Sequence, residues 1–125
     1  MSYLPTKEQL ACHEYVGSLL LALPERITEH IRLADIPHPR LETLCWLWLG
    51  RLNRNGYARF CWEGREPVGH RVTYEVYRKP IPRRLVLDHL CRCRACINPW
   101  HMEPVTVKIN TQRGDAVLFS PVYAQ

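Results

Sequence analysis

The sequence predicts a small α+β protein. Three features predict it: an amphipathic helical first third, a second half built of strand and turn signals, and a set of cysteines and histidines at metal-ligand spacing. A chain of 125 residues, 46% hydrophobic and 23% charged, falls in the range of a single globular domain. Its apolar residues gather at Leu19–Leu23 and Cys45–Leu49, well short of the ~20 that a membrane span needs, so no membrane partner is expected. No basic region followed by an apolar stretch follows Met1, and the expected address is the cytoplasm.

Residues 6–33 read as helical. Thr6 and Gln9 have the spacing of a capping box, and Leu10, Val16, Leu19, Leu20 and Leu23 roughly follow a 3.6-residue period. Pro24 opens a second helix running to about Leu33, and Ile36-Pro37-His38-Pro39 cannot continue it, so residues 1–42 form an N-terminal helical segment with its linker. The apolar face of that segment is core, or else a homodimer contact.

From Cys45 the texture changes. Cys45–Leu49 reads as a strand, Asn53-Arg54-Asn55-Gly56 as a turn, and Tyr57–Trp62 as an alternating strand, giving a β-hairpin or meander. Val72–Tyr77 reads as a short helix before Pro80 and Pro82, and Leu85–Leu90 as an apolar strand interrupted by Asp88-His89. Asn98-Pro99 caps a turn, Met102–Val105 is extended, and Thr106 caps a final helix over Val107–Arg113, ended by Gly114. The organised region is therefore 43–114, with 115–125 a tail.

Lys and Arg outnumber Asp and Glu by 17 to 12, a net +5 that favours polyanionic partners, nucleic acid first. Six cysteines in a chain without an export signal point to metal ligation rather than disulfides. Cys91, Cys96 and His101 stand five residues apart each time and supply three ligands of a tetrahedral zinc site from one segment. Cys45 is the preferred fourth, since a ligand from a distant strand ties the meander to this segment. Cys61 and Cys93 compete for that place.

If zinc takes those groups, His89 is left beside a carboxylate, where a general base is useful; an imidazole titrating near pH ~6.5 accepts a proton from water at neutral pH. Phosphodiester hydrolysis also needs a hard cation, held by oxygen ligands. Asp88 offers one, and Asn110, 21 residues after His89 (110 − 89), offers another from the last helix.

The run Asp88-His89-Leu90-Cys91-Arg92-Cys93-Arg94-Ala95-Cys96-Ile97-Asn98-Pro99-Trp100-His101-Met102-Glu103-Pro104-Val105-Thr106 resembles the phage-type HNH endonucleases of the ββα-metal, or His-Me finger, superfamily. Its His-x-Cys-x4-Cys-x4-His core is also similar to the His-Cys box homing endonucleases. Cys45-Trp46-Leu47-Trp48, Asn55-Gly56-Tyr57-Ala58-Arg59-Phe60 and His70-Arg71-Val72 with Tyr74-Glu75 extend the resemblance over residues 43–114. It implies a zinc-stabilised ββα-metal core in which His89 is the general base, Asp88 and Asn110 hold Mg²⁺ or another divalent cation, and Cys45, Cys91, Cys96 and His101 hold a structural zinc. It further implies that His70 or Arg71 corresponds to a cationic group contacting the scissile phosphate, and that Asn98 shapes the loop. Cys93 stands where relatives usually carry Asn.

The activity this implies is cleavage of double-stranded DNA, leaving 5′-phosphate and 3′-hydroxyl ends, in a phage-encoded or bacterial host setting. Packaging, homing and defence all use such chemistry. Arg51, Asn53, Arg54, Asn55, Arg59 and Arg65 lie on or between the expected hairpin strands, where a two-stranded ribbon can enter the major groove. Arg83, Arg84, Arg92 and Arg94 flank the reactive segment as candidate grips on the backbone. The alternative function is a zinc-organised DNA-binding regulator that does not cut; a third is a zinc-built interaction module.

Overall fold

The computed structural model describes residues 4–116, and its centre is the run Trp46-Leu47-Trp48. All three side chains are buried, as befits a strand covered on both faces. Successive residues of a strand point to opposite sides. Trp46 and Trp48 accordingly join a core with Val16, Leu23, Ile27, Leu44, Ala58, Phe60, Val72 and Ile97, while Cys45 and Leu47 face a second cluster with Ala34, Cys91 and Cys96. One short strand thus divides the apolar core from the cysteine cluster.

The N-terminal segment is helical for less of its length than the periodicity predicts. Thr6 and Gln9 do form the capping box, opening α1 (Lys7–Leu10), which is followed by α2 (His13–Leu19), a 3₁₀ turn at Leu20–Ala22, and α3 (Glu25–Thr28). Pro24 is the N-cap of α3, not its first helical residue. The helix expected to reach Leu33 ends at Thr28, and Ile31–Leu33 is instead a strand, β1, paired antiparallel with β2 (Trp46–Trp48). The backbone of a fully buried strand must be hydrogen-bonded, and that requirement overrides the helical pattern of Ile31-Arg32-Leu33. On its other edge β2 takes residues 95–97: Trp48 N donates to Ala95 O at 2.9 Å, and Ile97 N to Trp46 O at 2.8 Å. The first third therefore belongs to the same core as the rest, its apolar residues Val16, Leu23 and Ile27 being buried there.

The hairpin expected after β2 is present only in reduced form. Isolated bridges join Leu52 to Ala58, Arg59 to Val68 and Trp62 to Arg65, so residues 51–68 are an irregular meander and not a regular two-stranded ribbon. The turn itself is as expected: Asn53 Oδ1 accepts from Asn55 N (2.9 Å) and Tyr57 N (3.0 Å), and Gly56 takes φ +88°. α4 (Gly69–Tyr77) begins three residues before the expected Val72, which brings His70 and Arg71 onto the helix.

β3 (Val86–His89) pairs antiparallel with β4 (Met102–Val105) in the register Val86–Val105 through His89–Met102. Asn98 caps the short 3₁₀ turn Pro99–His101 between them, its Oδ1 accepting from Trp100 N at 2.8 Å. Thr106 Oγ1 accepts from Ile109 N at the start of α5 (Val107–Ala116), which runs through Gly114 where a stop was expected. The fold is thus mixed α+β with two small antiparallel sheets, and the last of them is ordered strand, strand, helix. Among the described residues no helix is long and apolar enough to cross a membrane. The expected tail lies outside the described residues from position 117 onward.

A buried Cys3His cluster beside an uncommitted histidine

β2 delivers Cys45 from one direction, and the loop after β3 delivers Cys91, Cys96 and His101 from the other. The four residues are buried, and their ligand atoms all lie within 4.8 Å of one another. Cys45 Sγ and Cys96 Sγ lie 3.6 and 3.7 Å from His101 Nδ1. Zinc–sulfur and zinc–nitrogen bonds of ordinary length give a tetrahedral S···N edge of roughly 3.5 Å, so this cluster could hold a metal such as zinc. The competitors stand apart: Cys61 is exposed, and Cys93 is half-buried and outside the cluster, its thiol pushed up to about 11 by burial.

The surroundings suit a metal. His101 Nε2 lies 2.6 Å from Thr43 Oγ1, so an Nε2–H donated to that hydroxyl turns the Nδ1 lone pair toward the thiols. Trp46 N and Asn98 N both donate to Cys96 Sγ at 3.4 Å. Without a metal the thiols share protons among themselves: hydrogen bonds from Cys45 and Cys96 pull the Cys91 thiol down, and that same contact pushes Cys45 up. His38, in the linker, closes the back of the site. Its Nε2–H donates to Cys91 O at 3.1 Å, and its Nδ1 accepts from Arg40 N and Leu41 N.

His89 is not among the four. It is buried at the end of β3, and its Nε2 lies 3.1 Å from Cys96 O. A carbonyl can only accept, so Nε2 carries the proton and Nδ1 is left with a free lone pair. Cys96 therefore meets both groups: its sulfur belongs to the Cys3His cluster, and its carbonyl sets the tautomer of the neighbouring imidazole. Burial lowers the His89 pKa and favours the neutral ring.

Asp88 is buried, and both its oxygens are covered by guanidinium groups: Arg92 Nη1 at 2.7 Å on Oδ1 and Arg113 Nη1 at 3.1 Å on Oδ2. Arg113 also reaches Glu103, the β4 partner of Asp88, at 2.7 Å. α5 thus returns beside β3. Asn110 stands one turn before Arg113, a spacing that places both on the same helix face, and it is half-buried where its neighbours Val107–Ile109 are exposed. Arg113 was detectable in the sequence from that spacing; Thr43 carried no signal beyond its place two residues before Cys45.

His70 and Arg71 take different roles. His70 is buried and packs its ring 4.6 Å from that of His89; desolvation, with the charges of His89 and Arg71, drives its pKa down to about 2. It is a neutral group, which leaves Arg71 as the candidate cation of the pair; Arg71 lines a groove of about 560 Å³ with Trp62, Arg65 and Glu75. Of the ribbon residues, Arg54 and Asn55 are exposed, Arg51 is paired with Glu66 at 2.9 Å, and Arg65 lies on the same groove as Arg71. Asn53 is half-buried, and its Oδ1 is the acceptor that builds the turn. Arg59 is half-buried with its Nε enclosed and unpartnered. Arg92 and Arg94 are engaged internally as well, Arg94 with Asn55 O at 3.0 Å, whereas Arg83 and Arg84 are exposed.

No family model and no solved structure matches the chain. It is similar to Protein 7.7 of Escherichia phage T7, at 34% identity over 68 residues, which cover 54% of this chain and 52% of that protein. The chain therefore spans about half the length of the curated relative it matches.

Proposed function

We propose that this protein is a metal-dependent DNA endonuclease of the HNH, ββα-metal type, with Cys45, Cys91, Cys96 and His101 holding a structural zinc. The observation that carries the reading is His89: it lies outside the Cys3His cluster, donates through Nε2 to the Cys96 carbonyl, and keeps Nδ1 as a proton acceptor. Burial holds the ring neutral, which is the form a general base requires. The closed ligand set of the cluster suits a structural ion, with no open position for chemistry.

Asp88 and Asn110 are the oxygen donors that would hold a hard divalent cation such as Mg²⁺. A carboxylate and an amide oxygen are the donors such an ion takes, and to reach Asp88 it would have to displace the Arg92 and Arg113 guanidinium groups that cover both carboxylate oxygens. When bound, such an ion neutralises charge building on the phosphate and the departing 3′ oxygen. The chain's own residues do the rest. His89 Nδ1 removes the proton of the attacking water, Arg71 and the exposed Arg51 and Arg54 attract the phosphate backbone, and the β3–β4 pair fixes His89 against Met102.

The competing reading is a zinc-organised DNA-binding regulator without cleavage, and the guanidinium cover on Asp88 favours it. Supercoiled plasmid incubated with zinc-loaded protein and Mg²⁺ separates the two. Nicked or linear product from wild type, absent with His89→Ala and with Asn110→Ala, supports the nuclease. Duplex DNA shifted in a gel without any product supports the regulator.

A further inference from the structure

Three rings meet at His89. The centroids of Tyr57 and His70 lie 5.0 Å apart, those of Tyr57 and His89 5.5 Å, and those of His70 and His89 4.6 Å. The Tyr57 ring is tilted by 34° and 31° to the two imidazoles, at centroid distances within the range of favourable aromatic contacts. His70 is buried, and its Nδ1 has no hydrogen-bond partner, so toward His89 it offers a packing surface.

Tyr57 is itself held in place from several directions. Asn53 Oδ1 accepts its backbone N–H at 3.0 Å, and the left-handed Gly56 turns the chain just before it. The Arg94 guanidinium sits 5.5 Å from the centre of the Tyr57 ring and donates to Asn55 O at 3.0 Å. This fixes the turn 53–57, otherwise a surface loop, against the segment that carries the reactive histidine.

His89 needs that support. One hydrogen bond, from Nε2 to the Cys96 carbonyl, fixes a single edge of the imidazole, and the plane of the ring is set by the rings that pack against it. A general base must present its lone pair in one direction, and errors of about 1 Å in such a group reduce rates by up to ~100-fold. We propose that Tyr57 is a positioning residue for His89: its ring, packed against both imidazoles and held by Arg94, keeps the His89 plane so that Nε2 stays on the Cys96 carbonyl and Nδ1 faces the attacking water. The flat ring does this work, not the phenolic hydroxyl. The catalytic half of this inference rests on His89 being the general base.

The test compares wild type with Tyr57→Phe and Tyr57→Leu in the zinc-loaded full chain, using plasmid nicking at saturating protein, gel-shift affinity, and long-range ¹H–¹⁵N spectra of the imidazole side chains. Tyr57→Phe keeps the ring and is expected to cleave within about twofold of wild type, with His89 a single Nε2–H tautomer. Tyr57→Leu is expected to lose on the order of tenfold to a hundredfold in cleavage rate with DNA affinity nearly unchanged, and its His89 nitrogens are expected to show averaging between tautomers. Wild-type cleavage by Tyr57→Leu, or equal loss in Tyr57→Phe and Tyr57→Leu through DNA affinity, overturns the proposal. If wild type cuts no DNA, the nuclease reading fails and the spectra decide alone: averaged tautomers in Tyr57→Leu uphold the positioning role, and an unchanged single tautomer overturns it.

Discussion

Replacing Thr43 by Val removes one oxygen and leaves the shape of the side chain almost intact. That oxygen lies 2.6 Å from His101 Nε2, and both residues are buried. Without it the imidazole N–H has no acceptor in a place water does not reach, which costs about 1–3 kcal/mol. Loss of the partner that orients a metal-bound histidine lowers metal affinity by about 10- to 100-fold, or roughly 1.4–2.7 kcal/mol. The two routes reach the same range because they describe the same lost bond. Zinc affinity is measured by competition with a chromophoric chelator at fixed pH, for wild type, Thr43→Val and Thr43→Ser. Thr43→Val should bind 10 to 100 times more weakly, and Thr43→Ser, which keeps the hydroxyl, should lie close to wild type. Equal affinity for Thr43→Val, with Cys91→Ala losing the ion, would refute the assignment of Nδ1 of His101 as a ligand oriented from behind by Thr43.

Cys96→Ser should lose stoichiometric zinc and with it on the order of 10 kcal/mol of folding free energy, whereas Cys61→Ser and Cys93→Ser should each retain one ion by atomic absorption. His70 gives a pH dependence with a definite sign. Its folded pKa is depressed to about 2 by burial, and the unfolded value is near 6.5, so its contribution is complete above pH ~6.5 and is lost at about 1.4 kcal/mol per pH unit as pH falls toward 2. Urea unfolding from pH 6.5 to 4.5 should fall more steeply for wild type than for His70→Asn, and parallel slopes would contradict this. At Gly69 a Cβ would meet Phe60 Cε2 at 2.5 Å and Ala58 Cβ at 2.9 Å. Gly69→Ala should therefore be less stable by about 1–3 kcal/mol in the same assay.

Local chemistry made much of this structure readable in the sequence. The capping box at Thr6, the Asn53–Gly56 turn, the Asn98 cap, the extended Met102–Val105 and the choice of Cys45 with Cys91, Cys96 and His101 all depend on short-range patterns or on ligand chemistry, and each has its counterpart in the fold. What escaped depends on long-range partners. Ile31–Leu33 is a strand because Trp46–Trp48 needs one beside it, and no window around Ile31 contains that information. The meander is held by single bridges, with Gly69 brought close against Ala58 and Phe60, contacts that no short window contains. That Arg59 is half-buried and that Asn53 Oδ1 accepts from Asn55 N and Tyr57 N also depends on the folded turn. The guanidinium pair on Asp88 and the Tyr57 ring on His89 join residues 25 and 32 positions apart (113 − 88 and 89 − 57), distances over which periodicity says nothing.

In the proposed nuclease one imidazole, that of His89, stands outside the metal shell and takes a proton from water. The measurement that tests this most directly is single-turnover DNA nicking by zinc-loaded His89→Ala, with the zinc shell of the same sample read by X-ray absorption. The expected result is one zinc in an unchanged three-sulfur, one-nitrogen shell and cleavage reduced by about 10²- to 10⁴-fold. A shell that loses a nitrogen with the substitution, or cleavage at the wild-type rate, would contradict it.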